Sequence, residues 1–560
     1  MTASWTTTGT WFGPPDRPLL GWFTQPAAGT ARRGVLILPP LGYEYMTTHR
    51  TLRTIAERVA AAGCCALRID YDGTGDSAGD QWDAGRVAAW RQSVGHGVDE
   101  LHRLGCDDVC MVGLRFGAML ALLEAASAGV SRAVAWAPVV SGRRYVRELR
   151  VLGIAAEPSP AQPELEGTLS LGGFVFTPET LRDLATLNLE QVDARPAAEL
   201  LVIERPDGSP LTGFVDHVAA LGAQVDVRAI DGTQSCLDVN TETAIVPDAI
   251  LDAIVDWVGE DDGSNPLTAR AGEAPRDRAD FDHDGAVVTE SVARFGPRGL
   301  VGVVGRPAAA ADAGPKRATV VFANSGSEPH IGPGRAWVEY ARQLNRAGCC
   351  TIRVDCRGWG ESPDDGFAPA RPYDRHMIAD LRELVEGLGA DGWGPVVLVG
   401  QCASAWAALE LARQVPLDGL IACNPQLYRS DGDPVSVNMP ETRAMRSAER
   451  ARIKRLDRYG WWSLLDRFGV RDEAMRCLHE VNGHRTPALL LFGHEDDGIE
   501  YLRNRDRRAL ARELARGRIQ VIEMATIDHG MHRAWQRHEV SGALRDFVDA
   551  LAPSERSVSS

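Results

Sequence analysis

A cysteine set between a buried strand and a helix is the first place in this sequence where chemistry is legible. Val396-Val-Leu-Val399 is an apolar, mostly β-branched run, and Ala405 to Ala412 consists of good helix formers. Only Gly400-Gln401-Cys402-Ala403-Ser404 separates them, so the chain must turn sharply from strand into helix. That order is the nucleophile elbow, usually written G-x-S-x-G, with Cys402 in the serine's place. Small residues belong beside such a nucleophile because neighbouring elements crowd its strained backbone. Gly400 and Ala403 meet the demand, and Ser404 is a slightly larger substitute for the second glycine. A thiol in this place needs a base to become thiolate, and the base needs a carboxylate to hold its tautomer. The helix N-terminus behind it lowers the thiol pKa further. The competing reading is a small buried hydrophobe, and five residues alone favour that.

The elements around this turn alternate between strands and helices. Residues 11–38 read as two short strands with a turn at Pro14-Pro15-Asp16, leading into the buried strand Val35-Leu-Ile-Leu38. A helical stretch from Thr51 to Ala62 precedes the strand Cys64 to Asp70 and the loop Tyr71-Asp-Gly-Thr-Gly75-Asp-Ser77. A helix over about Ala84 to Leu104 leads to Val109-Cys-Met-Val-Gly113-Leu-Arg115-Phe-Gly117 and a helix from Ala118 to Ala126. Such alternation predicts a parallel sheet flanked by helices.

The same order then returns. Ala347-Gly-Cys-Cys-Thr-Ile-Arg-Val-Asp355 repeats Ala62-Gly-Cys-Cys-Ala-Leu-Arg-Ile-Asp70 285 residues further on, and Gly360-Glu-Ser362 repeats Gly75-Asp-Ser77 at the same offset. Phe295 to Gly302 echoes residues 12–21, Val320 onward echoes Val35 onward, and Gly400 stands where Gly113 stood. Blocks that keep order and near-constant spacing predict a tandem duplication of one α/β domain. Residues 1–260 form the first copy and 285–560 the second, with the polar stretch 261–284 as linker.

With the hairpin, the D-x-x-G-x-G-x-S loop after the following strand and the elbow in place, both halves resemble α/β-hydrolases. The resemblance covers nearly the whole chain and implies two tandem α/β-hydrolase domains, each a mostly parallel sheet flanked by helices, with helical cap insertions. Pro39 to Glu44 and Asp70 to Ser77 also resemble bacterial hydrolases encoded beside acyl-carrier or exported-polymer pathways. In such a fold the nucleophile is followed by an acid after a later strand and by a histidine near the C-terminus. The strand Pro487 to Gly493 is followed by His494-Glu495-Asp496, so the resemblance implies Asp496 as the acid, ahead of Asp497. Asp528-His529-Gly530 follows the strand Gln520 to Met524 and supplies His529 as the base, ahead of His532, with Asp528 shaping the loop. The oxyanion donors implied are the backbone N–H of Ala403 and one from the Asn324-Ser325-Gly326 loop. In the first half Arg115 takes the nucleophile's place. Asp207 matches Asp496, and no histidine falls between His217 and His283. Arginine stays protonated and serves as neither nucleophile nor base. The first lobe is therefore expected to be inactive, either a scaffold or an anion-binding site built on Arg115.

Composition narrows the partners. The 560 residues are 44% hydrophobic and 24% charged, as in ordinary globular proteins. The formal charge of −16 argues against nucleic acid or an anionic membrane as partner. No apolar run is long enough to span a bilayer, and Met1-Thr-Ala-Ser-Trp-Thr6 has no signal-peptide character. Eleven cysteines without metal or disulfide spacing lead to an expected cytoplasmic location. No metal or cofactor is expected: Gly73-Thr-Gly75 lacks the rest of a dinucleotide fingerprint, and His479 and His484 have no third ligand. The implied cap over about 424–482 carries Arg443, Arg446, Arg450, Lys454 and Arg458 at helical spacing, and Tyr459, Trp461, Trp462 and Phe468. The basic face reads as a solvated surface or as a dock for an acyl or peptidyl carrier protein or coenzyme A. The aromatics either line an acyl pocket or pack the cap. Cysteine also serves as nucleophile in the dienelactone hydrolases and polyhydroxyalkanoate synthases of this fold. The first expectation is therefore acyl transfer or condensation on an activated acyl (thio)ester through acyl-Cys402. Hydrolysis of a thioester, ester or lactone comes second, and a non-catalytic binding or scaffold protein third.

Overall fold

Apolar β-branched runs pair into sheets when both faces can be covered, and in this chain most of the parallel strands are followed by a helix able to cover them. A computed structural model of the protein describes residues 4–27, 33–155, 165–206, 208, 211–237, 239–260, 272–307, 317–364, 372–427, 473–493, 496–504, 507–525 and 527–551. The chain divides into two units, 1–239 with 243–285, and 240–242 with 286–560.

The first unit contains β1 (Trp5–Phe12), β2 (Leu19–Pro26), β3 (Gly34–Leu38), β4 (Cys65–Ile69), β5 (Val109–Leu114), β6 (Arg132–Trp136), β7 (Leu169–Leu171), β8 (Phe174–Phe176), β9 (Glu199–Glu204) and β10 (Gln224–Ala229). Eight of them form one sheet in the order β1-β2-β4-β3-β5-β6-β9-β10. β1 and β2 pair antiparallel, as do β2 and β4, and the rest are parallel. Between β6 and β9 the chain inserts the helix Gly142–Ala155, the β7–β8 hairpin and the helix Pro178–Thr186.

The second sheet consists of β11 (Arg278–His283), β12 (Ala286–Phe295), β13 (Leu300–Pro307), β14 (Thr319–Ala323), β15 (Cys350–Val354), β16 (Val396–Gln401), β17 (Gly419–Cys423), β18 (Ala488–Gly493) and β19 (Ile519–Met524). Its order, β11-β12-β13-β15-β14-β16-β17-β18-β19, repeats that of the first sheet with one strand added at the edge. The added strand lies within the expected linker 261–284. Arg278–His283 alternates exposed residues with buried or partly buried ones, Phe281 being buried, and is recruited as β11, because an extended chain beside an open sheet edge satisfies its backbone groups by pairing. Of the implied C-terminal cap, residues 424–427 and the helix Glu473–Gly483 belong to the described residues. The basic positions 443–458 and the aromatics 459–468 lie outside them, as does Asp207.

All six residues of β16 are buried, and β16 lies between β14 and β17 near the sheet's middle. A second buried feature braces the antiparallel corner. Glu290 on β12 accepts from Arg342 at 2.9 and 3.1 Å and from Arg353 on β15 at 3.0 Å. Burial alone would raise this carboxyl, but the two guanidinium groups outweigh it and hold it at about 2. All eleven cysteines are free; ten are buried, and Cys402 alone is half-buried.

Candidate active site

The turn after β16 is tighter than expected. The helix starts at Ala403 and runs to Ala412, so Cys402 is its N-cap, at φ 53° and ψ −108°. A side chain in that region is strained by about 1 kcal/mol or more and persists only where its surroundings enforce it. Here the enforcement comes from Gly400, where a Cβ would lie 2.5 Å from the Ser404 carbonyl carbon and 2.6 Å from the Ala405 nitrogen. Ser404 stitches the turn from within: its Oγ accepts from the Gln401 N–H at 2.9 Å and donates to the Gln401 carbonyl at 3.1 Å.

Three separate loops converge on the sulfur. Cys402 Sγ lies 3.4 Å from His529 Nε2, and His529 Nδ1 lies 2.5 Å from Asp496 Oδ2. Asp496 is nearly sealed from solvent, and its Oδ1 accepts from the Gly498 N–H at 2.8 Å. Both partners expected from sequence therefore sit in hydrogen-bonding reach. The runners-up are engaged elsewhere: Asp497 opens the helix Asp497–Asn504, and His532 pairs with Asp528, whose Oδ1 accepts from the His532 N–H at 2.8 Å. Removal from water works against a charged His529, but the Cys402 charge and the hydrogen bond with Asp496 outweigh it and push its pKa well above 6.5. His529 is thus favoured in its imidazolium form beside the sulfur.

Ala403 is the first residue of its helix, so its N–H has no acceptor within the helix. Ser325 and Gly326 lie in the loop after β14, which is drawn to the elbow because the buried Ser325 hydroxyl donates to Gln401 Oε1. The Gln401 amide then donates to the His529 carbonyl at 2.8 Å. Gln401 thereby links the elbow, the Ser325 loop and the histidine loop, a role sequence reasoning did not assign. Its signal is a polar residue ending an otherwise apolar strand. Asn424, just past β17, does similar work: its Nδ2 donates to the His529 and Asp528 carbonyls at 2.8 and 3.1 Å, and its Oδ1 accepts from the Gly493 N–H at 2.7 Å. Tyr373 was also missed. Its hydroxyl lies 3.1 Å from Cys402 Sγ and donates to Gln426 Oε1 at 2.8 Å.

The first lobe repeats the turn with an arginine in the cysteine's place. Arg115 is the N-cap of Phe116–Glu124 at φ 56° and ψ −115°, and a Cβ on Gly113 would meet the Gly117 carbonyl oxygen at 2.4 Å. The Arg115 side chain is buried, with Nε donating to Glu44 at 3.0 Å and Nη2 donating to Glu148. The expected anion-binding position is thus occupied by carboxylates of the lobe itself. Two carboxylates of the lobe already neutralise it, so an anionic ligand would have to displace them. Where a histidine would follow β10, Thr233 stands instead, its Oγ1 accepting from the Trp136 indole N–H at 2.9 Å.

Residues 320–552 match the model of the Alpha/beta hydrolase family. The match falls within the second lobe, which has the α/β fold, and supports an enzyme of hydrolase type. Among solved structures the chain is similar to Est1E from Butyrivibrio proteoclasticus with ferulic acid bound, at 17% identity, over 44% of this chain and 96% of that one, with a TM-score of 0.34. It is similar also to alpha/beta hydrolase domain-containing protein 10 from mouse, at 17% identity over 45% and 98%, with a TM-score of 0.33. A third likeness is to the Pyrococcus furiosus esterase Pf2001, at 14% identity over 46% and 91%, with a TM-score of 0.32. No curated protein matches the chain. Among the described residues no helix is long and apolar enough to cross a membrane, and no group of acidic, histidine or cysteine side chains could hold a metal ion.

Proposed function

We propose that the second lobe is a cysteine hydrolase that cleaves an ester or thioester through an acyl-thioester on Cys402, and that the first lobe is non-catalytic. The observation that carries this is the relay Asp496–His529–Cys402, assembled from three loops at 2.5 and 3.4 Å. In the first step the Cys402 proton passes to His529 Nε2 and the thiolate attacks the acyl carbon. The developing oxyanion meets the Ala403 N–H and an N–H of the Ser325–Gly326 loop. The tetrahedral species collapses as His529 returns its proton to the departing alcohol or thiol, leaving acyl-Cys402. Water then gives a proton to His529 and attacks the thioester; the acid leaves, and Cys402 departs as thiolate to restore the pair. Asp496 holds His529 in the tautomer both steps need.

The family match puts hydrolysis ahead of acyl transfer, reversing the order drawn from sequence. Transfer draws its support from the nucleophile, since thioesters yield to amines and thiols more readily than to water. Incubating the protein with acyl-thioester and aryl-ester probes and recording intact mass tests both readings. An adduct in the wild type, absent in Cys402→Ala and discharged in plain buffer, is the expected result. An adduct released only on adding an amine, alcohol or thiol would favour transfer, and no adduct with any probe would overturn the catalytic reading.

A further inference from the structure

Among the described residues Cys402 Sγ has two proton-bearing neighbours, and the relay uses one of them. The second is the Tyr373 phenol, 3.1 Å from the sulfur and 2.8 Å from Gln426 Oε1. Tyr373 is 1% exposed, and its ring meets Trp406 of the elbow helix edge-on, with centroids 5.7 Å apart at 65°. Its backbone sits at φ 64°, a conformation that a bulky residue keeps only under constraint. The constraint is local: the next residue, Asp374, caps the helix Arg375–Ala390 by accepting from the His376 N–H at 3.1 Å. The hydroxyl is therefore aimed, and it aims at the reacting atom.

A phenol has one proton to donate. A neutral thiol or thioester sulfur is a weak acceptor, so beside either one the amide oxygen of Gln426 takes that proton. A thiolate accepts a charge-assisted hydrogen bond of about twice the strength of a neutral one, and the balance then tips toward sulfur. We infer that Tyr373 is a further catalytic residue, a phenol that turns from Gln426 to the Cys402 sulfur whenever that sulfur carries charge. It would hold the resting thiolate opposite His529 and meet it again as the leaving group of the deacylation step. Among the described residues the titratable side chains against the sulfur are His529 and Tyr373, with Asp496 behind the imidazole.

The inference rests on the thiolate chemistry proposed above, and one experiment separates the two. The rate of iodoacetamide alkylation at Cys402 is followed against pH in the wild type, Tyr373→Phe and Gln426→Met, with Cys402→Ala as background. The wild type should alkylate with a midpoint below the free-cysteine value of about 8.5. Tyr373→Phe should raise that midpoint by about one unit, making alkylation roughly tenfold slower at a pH below both midpoints, the usual worth of one hydrogen bond to a charged group. Gln426→Met removes an acceptor competing with the sulfur and should leave the midpoint unchanged or lower it. A low wild-type midpoint that Tyr373→Phe does not move overturns the inference alone. So does an equal upward shift in both variants, which would mark a packing effect. A wild-type midpoint at the free-cysteine value overturns the inference together with the reading beneath it.

Discussion

The two elbows have nearly the same backbone and opposite contents. Cys402 and Arg115 have φ values of 53° and 56°, each follows a buried strand, and each is preceded two residues earlier by a glycine that no larger residue could replace. One side chain is a half-buried thiol facing an imidazole; the other is a buried guanidinium closed by two carboxylates. The strained turn is therefore a property of how strand and helix pack, and strain alone does not mark a nucleophile. What distinguishes the lobes is what the other loops bring to the turn.

Cys402→Ala tests the comparison with the largest effect. It should cut turnover of a responsive ester or thioester on the order of 10⁴-fold or more, to background, read as initial rates. The mirror change, Arg115→Cys, should create no activity. A thiol without a histidine should alkylate only near the free-cysteine midpoint of about 8.5, and reactivity at pH 6 from this variant would break the contrast.

The next effect falls on stability. By strand register Thr7 occupies in the first lobe the place of Glu290 in the second, so the buried Glu290–Arg342–Arg353 cluster belongs to one lobe only. Glu290→Gln, which leaves both arginines without their carboxylate, should cost about 3 to 5 kcal/mol in urea unfolding at pH 7. The carboxyl is depressed from 4.5 to about 2, so its stabilisation is complete above pH 4.5 and is lost as the pH falls through about 2. The gap between wild type and variant should therefore narrow between those values, and a gap independent of pH would show that Glu290 acts through packing.

A smaller change separates Asn424 from Ala137. Both follow a strand, precede a proline and have φ near 47°, but only the asparagine can bond to the histidine loop. Asn424→Ala should lower kcat about 10- to 100-fold with little change in KM, since a misplaced base slows chemistry more than binding. A KM effect without a kcat effect would move Asn424 from positioning the base to shaping the substrate pocket. Smallest of all, Arg115→Ala should destabilise the first lobe by about 1 to 2 kcal/mol, because Glu148 is half exposed and screened by solvent. Hydrolysis at Cys402 should be unaffected, and a loss of substrate affinity would restore an anion-binding role.

Much of this was legible in the sequence because it is local. A glycine two before a cysteine between apolar strand and helix, an acid three past the glycine that ends a strand, and a histidine in the loop after the last strand are all short-range patterns. With the resemblance to α/β-hydrolases they pointed to Cys402, Asp496 and His529, and repetition at a near-constant offset marked Arg115 as the sister position. Boundaries were less secure. The helix begins at Ala403 rather than Ala405, because the elbow closes in one residue, and β11 arose within a polar stretch that no periodicity marked.

The sequence by itself determined two α/β lobes, a thiol at one elbow and an arginine at the other, since strand–helix alternation and residue identity need no third dimension. Only the tertiary structure decided that Glu44 and Glu148 close Arg115, that Gln401 and Asn424 hold the histidine loop, and that Tyr373 reaches the sulfur from 29 residues away. Those partners meet through the order of strands and one left-handed backbone at Tyr373, and neither is written in the spacing of residues along the chain.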